Sequence, residues 1–276
     1  MAITAQDVNK LRQMTGAGMM DCKKALTEAD GDFDAAVDIL RKKGQKVSAS
    51  RSDRNTTEGA VFVKMNNDAT KATLVALGCE TDFVAKNEEF QALGQRILQV
   101  AADNQPDSAG ELLSVHIGER TIQDYLTDLM GKIGEKIEVV AYENVTGEKV
   151  STYIHSNGKV GVLVGMKNVG NADATEVGKD VAMHIAAMRP VAVDKGDVDP
   201  SVVEREIEIG KEQARAEGKP EAMLEKIAQG KLNKFYKDST LLNQEFVKDN
   251  SKTIAQVLDS VNKGLTVTSF KRVQIG

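Results

Sequence analysis

The chain has 276 residues, of which 41% are hydrophobic, 28% charged and 4% aromatic, and its formal net charge is −5. This is the balance of an ordinary globular protein long enough for two domains, and it excludes a disordered chain. The acidic excess and the absence of Trp exclude nucleic acid as the main partner; phosphate binding rests on a Lys/Arg surplus and single-strand binding on stacked aromatic rings.

Cys22 and Cys79 lie in separate segments with no C-x-x-C, which fits a reducing compartment better than a disulfide framework. Met1 to Val8 carries no basic run leading into an apolar stretch, and no apolar run approaches the roughly 18 residues of a membrane span. The expectation is a cytoplasmic protein with no signal peptide and no membrane partner.

Three short helices open the chain. Thr4 can cap the first, with Val8 and Leu11 on one face and Gly16-Ala17-Gly18 as its stop. The second covers residues 19–29 and stops at Asp30-Gly31. Asp32 can cap a third, in which Phe33, Ala36, Val37 and Leu40 recur at helical spacing. It closes on Arg41, Lys42, Lys43 and Gly44, basic residues and a glycine suited to a helix end. These helices form a small module over residues 1–44. Residues 45–58 hold Ser48, Ser50, Ser52, Asn55, Thr56 and Thr57 with Arg51 and Arg54 interleaved and no apolar period, and read as a solvated linker.

From Gly59 the pattern changes. Residues 60–65 and 73–77 read as strands joined by a turn at Asn66-Asn67-Asp68. Helices over residues 87–101 and 121–133 come next, then strands over 137–142, 150–155 and 160–166, with turns at Gly147 and Gly158. A helix over residues 172–188 is stopped by Pro190. Strands with helices beside them, lacking regular alternation, predict an α+β core with antiparallel sheets, divided into subdomains 59–138 and 139–276. Residues 201–235 stand apart as a strongly charged helical hairpin. Val203, Ile207 and Ala214 stripe one arm, Leu224, Ala228, Leu232 and Phe235 the other, and Glu217-Gly218-Lys219-Pro220 turns between them. A helix over 253–261 and a strand over 265–273 complete the chain.

Enzyme signatures are missing. Gly16-x-Gly18 follows a helix and has Asp21 where a dinucleotide loop needs its third glycine, and no Gly-Lys pair completes a P-loop. The expectation is no direct nucleotide binding. His116, His155 and His184 have no metal-ligand spacing, no serine sits in G-x-S-x-G, and Cys22 has no base nearby. The expectation is a protein without catalytic residues, metal or cofactor.

Two segments carry the information. Thr15-Gly16-Ala17-Gly18-Met19-Met20-Asp21-Cys22-Lys23-Lys24-Ala25-Leu26 joins the first two helices. Gly78-Cys79-Glu80-Thr81-Asp82-Phe83-Val84-Ala85-Lys86-Asn87 lies where a strand hands over to a helix. Together they resemble the bacterial elongation factor Ts family. The resemblance continues through Lys132-Ile133-Gly134-Glu135, Val160-Gly161-Val162-Leu163-Val164 and Ala182-Met183-His184-Ile185-Ala186-Ala187, in family order over nearly the whole chain.

The resemblance implies a translation factor that binds elongation factor Tu, GDP-bound and nucleotide-free, and promotes exchange of GDP for GTP. It also implies an N-terminal module of ubiquitin-associated type, and it matches residues 201–235 to the family's inserted coiled-coil hairpin. Some longer relatives continue past the last strand into a further helix, a contact the resemblance does not supply here. The family's exchange motif matches as Thr81-Asp82-Phe83-Val84; in such proteins it enters the partner's GTPase domain and dislodges the Mg²⁺. On residue types alone Asp82 can equally cap the following helix and Phe83 pack in the core; the complete motif favours the exposed role. The resemblance places Leu11, Arg12, Met19 and Met20 against the same GTPase domain, with one methionine inward and one outward. It places His155 near the phosphate site, the alternative being a surface turn residue. His184, on an apolar helical face, reads as a satisfied core histidine. The rival reading is an adaptor that binds other proteins through its three-helix module without exchange activity.

Overall fold

The computed structural model describes residues 3–276. Three helices come first: α1 (Ala5–Thr15), α2 (Met19–Glu28) and α3 (Phe33–Ser50). The hairpin β1 (Glu58–Met65) and β2 (Lys71–Cys79) leads into α4 (Asp82–Ala85), α5 (Glu88–Asn104) and α6 (Ala109–Ser114). A short ladder, β3 (His116–Ile117) and β4 (Arg120–Thr121), precedes α7 (Ile122–Ile133). The strands β5 (Ile137–Thr146), β6 (Lys149–Ile154) and β7 (Val160–Lys167) then run to α8 (Thr175–Met188). Two long helices, α9 (Pro200–Ala216) and α10 (Glu221–Ser239), are followed by β8 (Glu245–Phe246), β9 (Asp249–Thr253), α11 (Ile254–Val261) and β10 (Thr266–Gln274).

The helix starts follow side-chain chemistry. Thr4 and Asp7 form a reciprocal capping box at α1, and the Asp32 carboxylate accepts from the Ala35 amide at 2.9 Å to open α3. Val8, Leu11, Cys22, Ala25, Leu26 and Ala36 make the small core these helices share.

α3 departs from the expectation. It continues through Gly44 to Ser50, so the segment expected as a linker begins inside a helix. Gly44 is a contact and not a stop, because α3 crosses α7 there. A methyl group on Gly44 would stand 2.9 Å from the Thr127 carbonyl oxygen, and one on Gly131 would stand 2.7 Å from the Gly44 Cα. Backbone-to-backbone approach offsets the helix-propensity cost of glycine, about 1 kcal/mol. The remainder of the segment is also tied down. Lys136 Nζ donates to the carbonyls of Ser52 and Arg54, each at 3.1 Å, and the Thr56 hydroxyl donates to Glu138 at 2.7 Å.

The core holds two antiparallel sheets, ordered β1–β2–β5 and β10–β7–β6. Strand alternation sorts the side chains into layers. In β2, Leu74 and Ala76 face the second sheet with Val61, Val145, Val150 and Leu163, while Val75 and Leu77 face Phe90 and Ile97 of α5 and Leu126 of α7. In β7, Val162 and Val164 face Val181 and Ile185 of α8 and Leu258 of α11, while Leu163 points back between the sheets. The order across the molecule is helices, sheet, sheet, helices, an α+β arrangement. Burial on both faces explains why β2 reads as a continuous apolar run.

Two expected boundaries shift. β5 pairs with β2 along its whole length, from Lys71 opposite Thr146 to Cys79 opposite Ile137. A division at residues 138/139 therefore cuts a strand of the first sheet, and the chain passes to the second sheet only at the Gly147 turn. The hairpin is longer than 201–235: Asp199 caps α9, Pro200 occupies its first turn, and α10 reaches Ser239. Pro220, expected at a first helical position, precedes α10 as its cap residue. Gly218 has φ 73°, the left-handed stop. Lys211 pairs with Glu225 at 2.6 Å and Arg215 with Glu221 at 3.0 Å, which sets the antiparallel register. No helix among the described residues is long and apolar enough to cross a membrane.

Candidate protein-docking site

The Thr81-Asp82-Phe83-Val84 segment leaves β2 and makes the single turn of α4. Its four residues divide the work. Thr81 Oγ1 accepts from the Val84 amide at 3.4 Å, so Thr81, not Asp82, caps the turn. Val84 is 7% exposed and packs in the first core cluster. Asp82 sits in the first turn and pairs with Lys86 at 2.7 Å. The Lys86 ammonium holds the Asp82 carboxyl below the ordinary carboxylate range. Phe83 is 83% exposed. Two residues anchor and two are presented.

The anchoring continues on both sides. Arg51, just past α3, donates to both oxygens of Glu80 at 2.9 and 3.1 Å, and the Lys136 amide donates to Glu80 at 2.7 Å. Burial acts to raise the Glu80 carboxyl, but these donors together hold it low. After the turn, the Asn87 side chain caps α5 through the Glu89 and Phe90 amides, and Gln91 donates to the Ala85 carbonyl at 2.6 Å. An exposed phenyl ring therefore stands on a turn whose flanks are held by hydrogen bonds on both sides.

The β6–β7 turn lies beside it. The Val61 amide donates to the Gly158 carbonyl at 2.8 Å, and Asn157, Gly158 and Lys159 share a groove with Asp82 and Lys86. His155 starts this turn, exposed, with Nδ1 3.0 Å from the Tyr153 hydroxyl. The structure thus brings the region of His155 and the Asp82–Phe83 turn to one side of the first sheet.

The N-terminal residues separate into two groups. Leu11 is fully buried in the module core. Arg12 is exposed beside it. Met19 and Met20 are 55% and 65% exposed, so both point outward, against the expectation of one in and one out. Met19 precedes the buried Cys22 by one turn but overhangs the open end of α2. Met14, 57% exposed, joins them, and sequence reasoning did not select it. The signal was available: the stripe Val8, Leu11, Thr15 leaves Met14 off the buried face of α1. Met14 and Ala17 line a cleft with Glu89, Leu93 and Lys132, which places Met14 near the start of α5.

Both cysteines are buried and free, and burial, with the Glu135 carboxylate second, pushes the Cys79 thiol up to about 12. No group of three metal-ligating side chains occurs among the described residues. His184 is fully buried; its Nδ1 accepts from the Val247 amide at 3.2 Å and its Nε2 donates to Gln244 at 2.9 Å, as a satisfied core histidine should.

The family model described as Elongation factor TS matches residues 80–276, beginning at the residue before Thr81. The chain belongs to the elongation factor Ts family. It is 62% identical over 274 residues to Elongation factor Ts of Cytophaga hutchinsonii, spanning 99% of each chain. The Elongation factor Ts of Amoebophilus asiaticus is 55% identical over 276 residues and 100% of each chain, and that of Christiangramia forsetii 48% over 275 residues. These full-length matches include the three N-terminal helices that lie outside the family-model match. As a member of the elongation factor Ts family, the chain is a translation elongation factor.

Proposed function

We propose that this chain is a guanine-nucleotide exchange factor for elongation factor Tu, acting in the cytoplasm without nucleotide, metal or cofactor of its own. The observation that carries the reading is Phe83, a large apolar side chain 83% exposed on a turn anchored through Thr81 and Val84, beside the charged Asp82. Phe83 wedges between side chains of the GTPase domain, and Asp82 perturbs the polar groups around the nucleotide's Mg²⁺. That ion bridges the phosphates to the GTPase and neutralises their charge, so its displacement loosens the nucleotide. Val84 and Thr81 hold the wedge in place. Arg12, Met14, Met19 and Met20 grip the same domain from the N-terminal module, and His155 approaches from the β6–β7 turn.

Exchange changes a rate and not the overall equilibrium. Nucleotide and factor weaken each other's binding by the same amount in the ternary complex. Each tenfold acceleration of release requires about 1.4 kcal/mol of preferential binding to the release transition state. The test is release of a fluorescent GDP analogue from elongation factor Tu with and without this protein. Acceleration by the intact chain, lost in Phe83→Ala, is the expected result; a release rate indifferent to the protein refutes the reading and leaves the adaptor.

A further inference from the structure

Phe83 makes few contacts of its own, so its direction is set by what holds the turn beneath it. α4 has four residues, too short to persist without outside support. Its C-terminal half is secured by Val84 and Ala85 in the core. Its N-terminal half is secured by one side chain from elsewhere in the sequence. Glu135 accepts from the Thr81 amide at 3.1 Å and from the Thr81 hydroxyl at 2.9 and 3.2 Å.

We propose that Glu135 is a positioning residue for exchange: its carboxylate holds Thr81, and through Thr81 the orientation of Phe83. This rests on the exchange reading above and adds to it a residue that touches no partner. The geometry of delivery supports it. α7 ends at Gly134, φ 83°, whose amide bonds the Met130 carbonyl at 2.8 Å, and this left-handed turn aims Glu135 at the end of β2. Among the described residues no cation lies within ion-pair distance of Glu135; every hydrogen bond it accepts comes from Thr81. A half-buried carboxylate with one bonding partner commits its whole charge to that partner, and charge-assisted bonds are the directional ones. Glu80 is held separately by Arg51 and Lys136, so Glu135 governs the Thr81 side of the turn alone.

The same helix end carries Lys132, which pairs with Glu89 and lies against Gly16 of the N-terminal module. The end of α7 therefore references both the Phe83 turn and the methionine edge to one rigid element.

The experiment is a double-mutant cycle on intact protein with elongation factor Tu carrying fluorescent GDP. Glu135→Ala, Glu135→Gln, Phe83→Ala and the double variants are compared for maximal release rate and for the factor concentration giving half of it. Glu135→Ala should lower the maximal rate about tenfold, the loss of one charge-assisted bond at about 1.4 kcal/mol, with the half-saturating concentration little changed. Glu135→Gln keeps an acceptor oxygen and should recover much of that rate. In the Phe83→Ala background, Glu135→Ala should change the rate less than about twofold, because it acts through Phe83. A wild-type rate for Glu135→Ala beside a slowed Phe83→Ala overturns this inference alone, as does an equal loss in both backgrounds. A wild-type rate for Phe83→Ala overturns the role of Phe83 and this inference with it, whereas no acceleration by the intact chain overturns the exchange reading itself. If Glu135→Ala fails to fold, the Glu135→Gln cycle decides on the same coupling.

Discussion

Phe83 and Phe90 are the same residue type seven positions apart, and the structure assigns them opposite fates: 83% and 0% exposed. Truncating Phe83 to alanine removes almost no buried area, so the stability change should stay within about 0.5 kcal/mol. In a protein of this size that moves the thermal midpoint by no more than about 2 °C. Truncating Phe90 empties a site between α5 and the first sheet and should cost about 3–5 kcal/mol, a fall of roughly 10 °C or more. The effects on exchange should invert. An aromatic anchor at an interface contributes about 2–4 kcal/mol, so Phe83→Ala should slow maximal GDP release by roughly 30-fold to 1,000-fold. Phe90→Ala should retain the normal rate per folded molecule. Both proteins would be melted by circular dichroism and assayed by stopped-flow release of fluorescent GDP, with the folded fraction measured at the assay temperature. A Phe83→Ala midpoint lowered as far as that of Phe90→Ala would refute the exposed-wedge argument. A normal midpoint with a normal release rate would refute the exchange role of Phe83 while leaving the fold intact.

Three further outcomes follow from particular contacts. Gly44→Val should destabilise by about 1–3 kcal/mol and loosen the module from α7, since the new side chain meets the Thr127 carbonyl, 2.9 Å from where its Cβ would lie; limited proteolysis near residues 45–56 reads this, and unchanged protection would refute the crossing. Replacing residues 201–235 by a Gly/Ser link should leave a cooperative melting transition, because the buried Ala214, Leu224, Ala228 and Leu232 belong to none of the core clusters; loss of cooperativity would show that the hairpin shares the core. His184 is held below its ordinary pKa by burial, so the unfolded chain binds the extra proton first. Its stability contribution is therefore complete above about pH 7 and declines as pH falls through about 6.5 toward the lower folded value. Thermal midpoints of wild type and His184→Gln between about pH 5 and 8 should converge at the acid end; parallel curves would contradict this.

The local sequence determined whatever depends on neighbours along the chain. Thr4, Asp32 and Asn87 satisfy amides two or three residues on, so their helices begin where those side chains stand. The apolar runs of β1 and β2 announced strands, and the α+β class followed from the order of strands and helices. The proposed exchange motif was legible because Thr81-Asp82-Phe83-Val84 is contiguous. What the sequence could not settle were choices made by distant groups. Gly44 after a basic triplet has the chemistry of a helix stop; only the approach of Gly131 from α7 made it a mid-helix contact. Residues 45–58 are polar, yet Glu80, Lys136 and Glu138, far along the chain, consume their hydrogen bonds and so abolish the linker. Leu11 and Met19 carry similar hydrophobicity, and one is buried while the other is exposed because the helix neighbours reach the first and not the second. Within the motif itself, tertiary packing took Val84 into the core and gave Thr81 to Glu135, which left Phe83 in the solvent with nothing of its own chain to cover it.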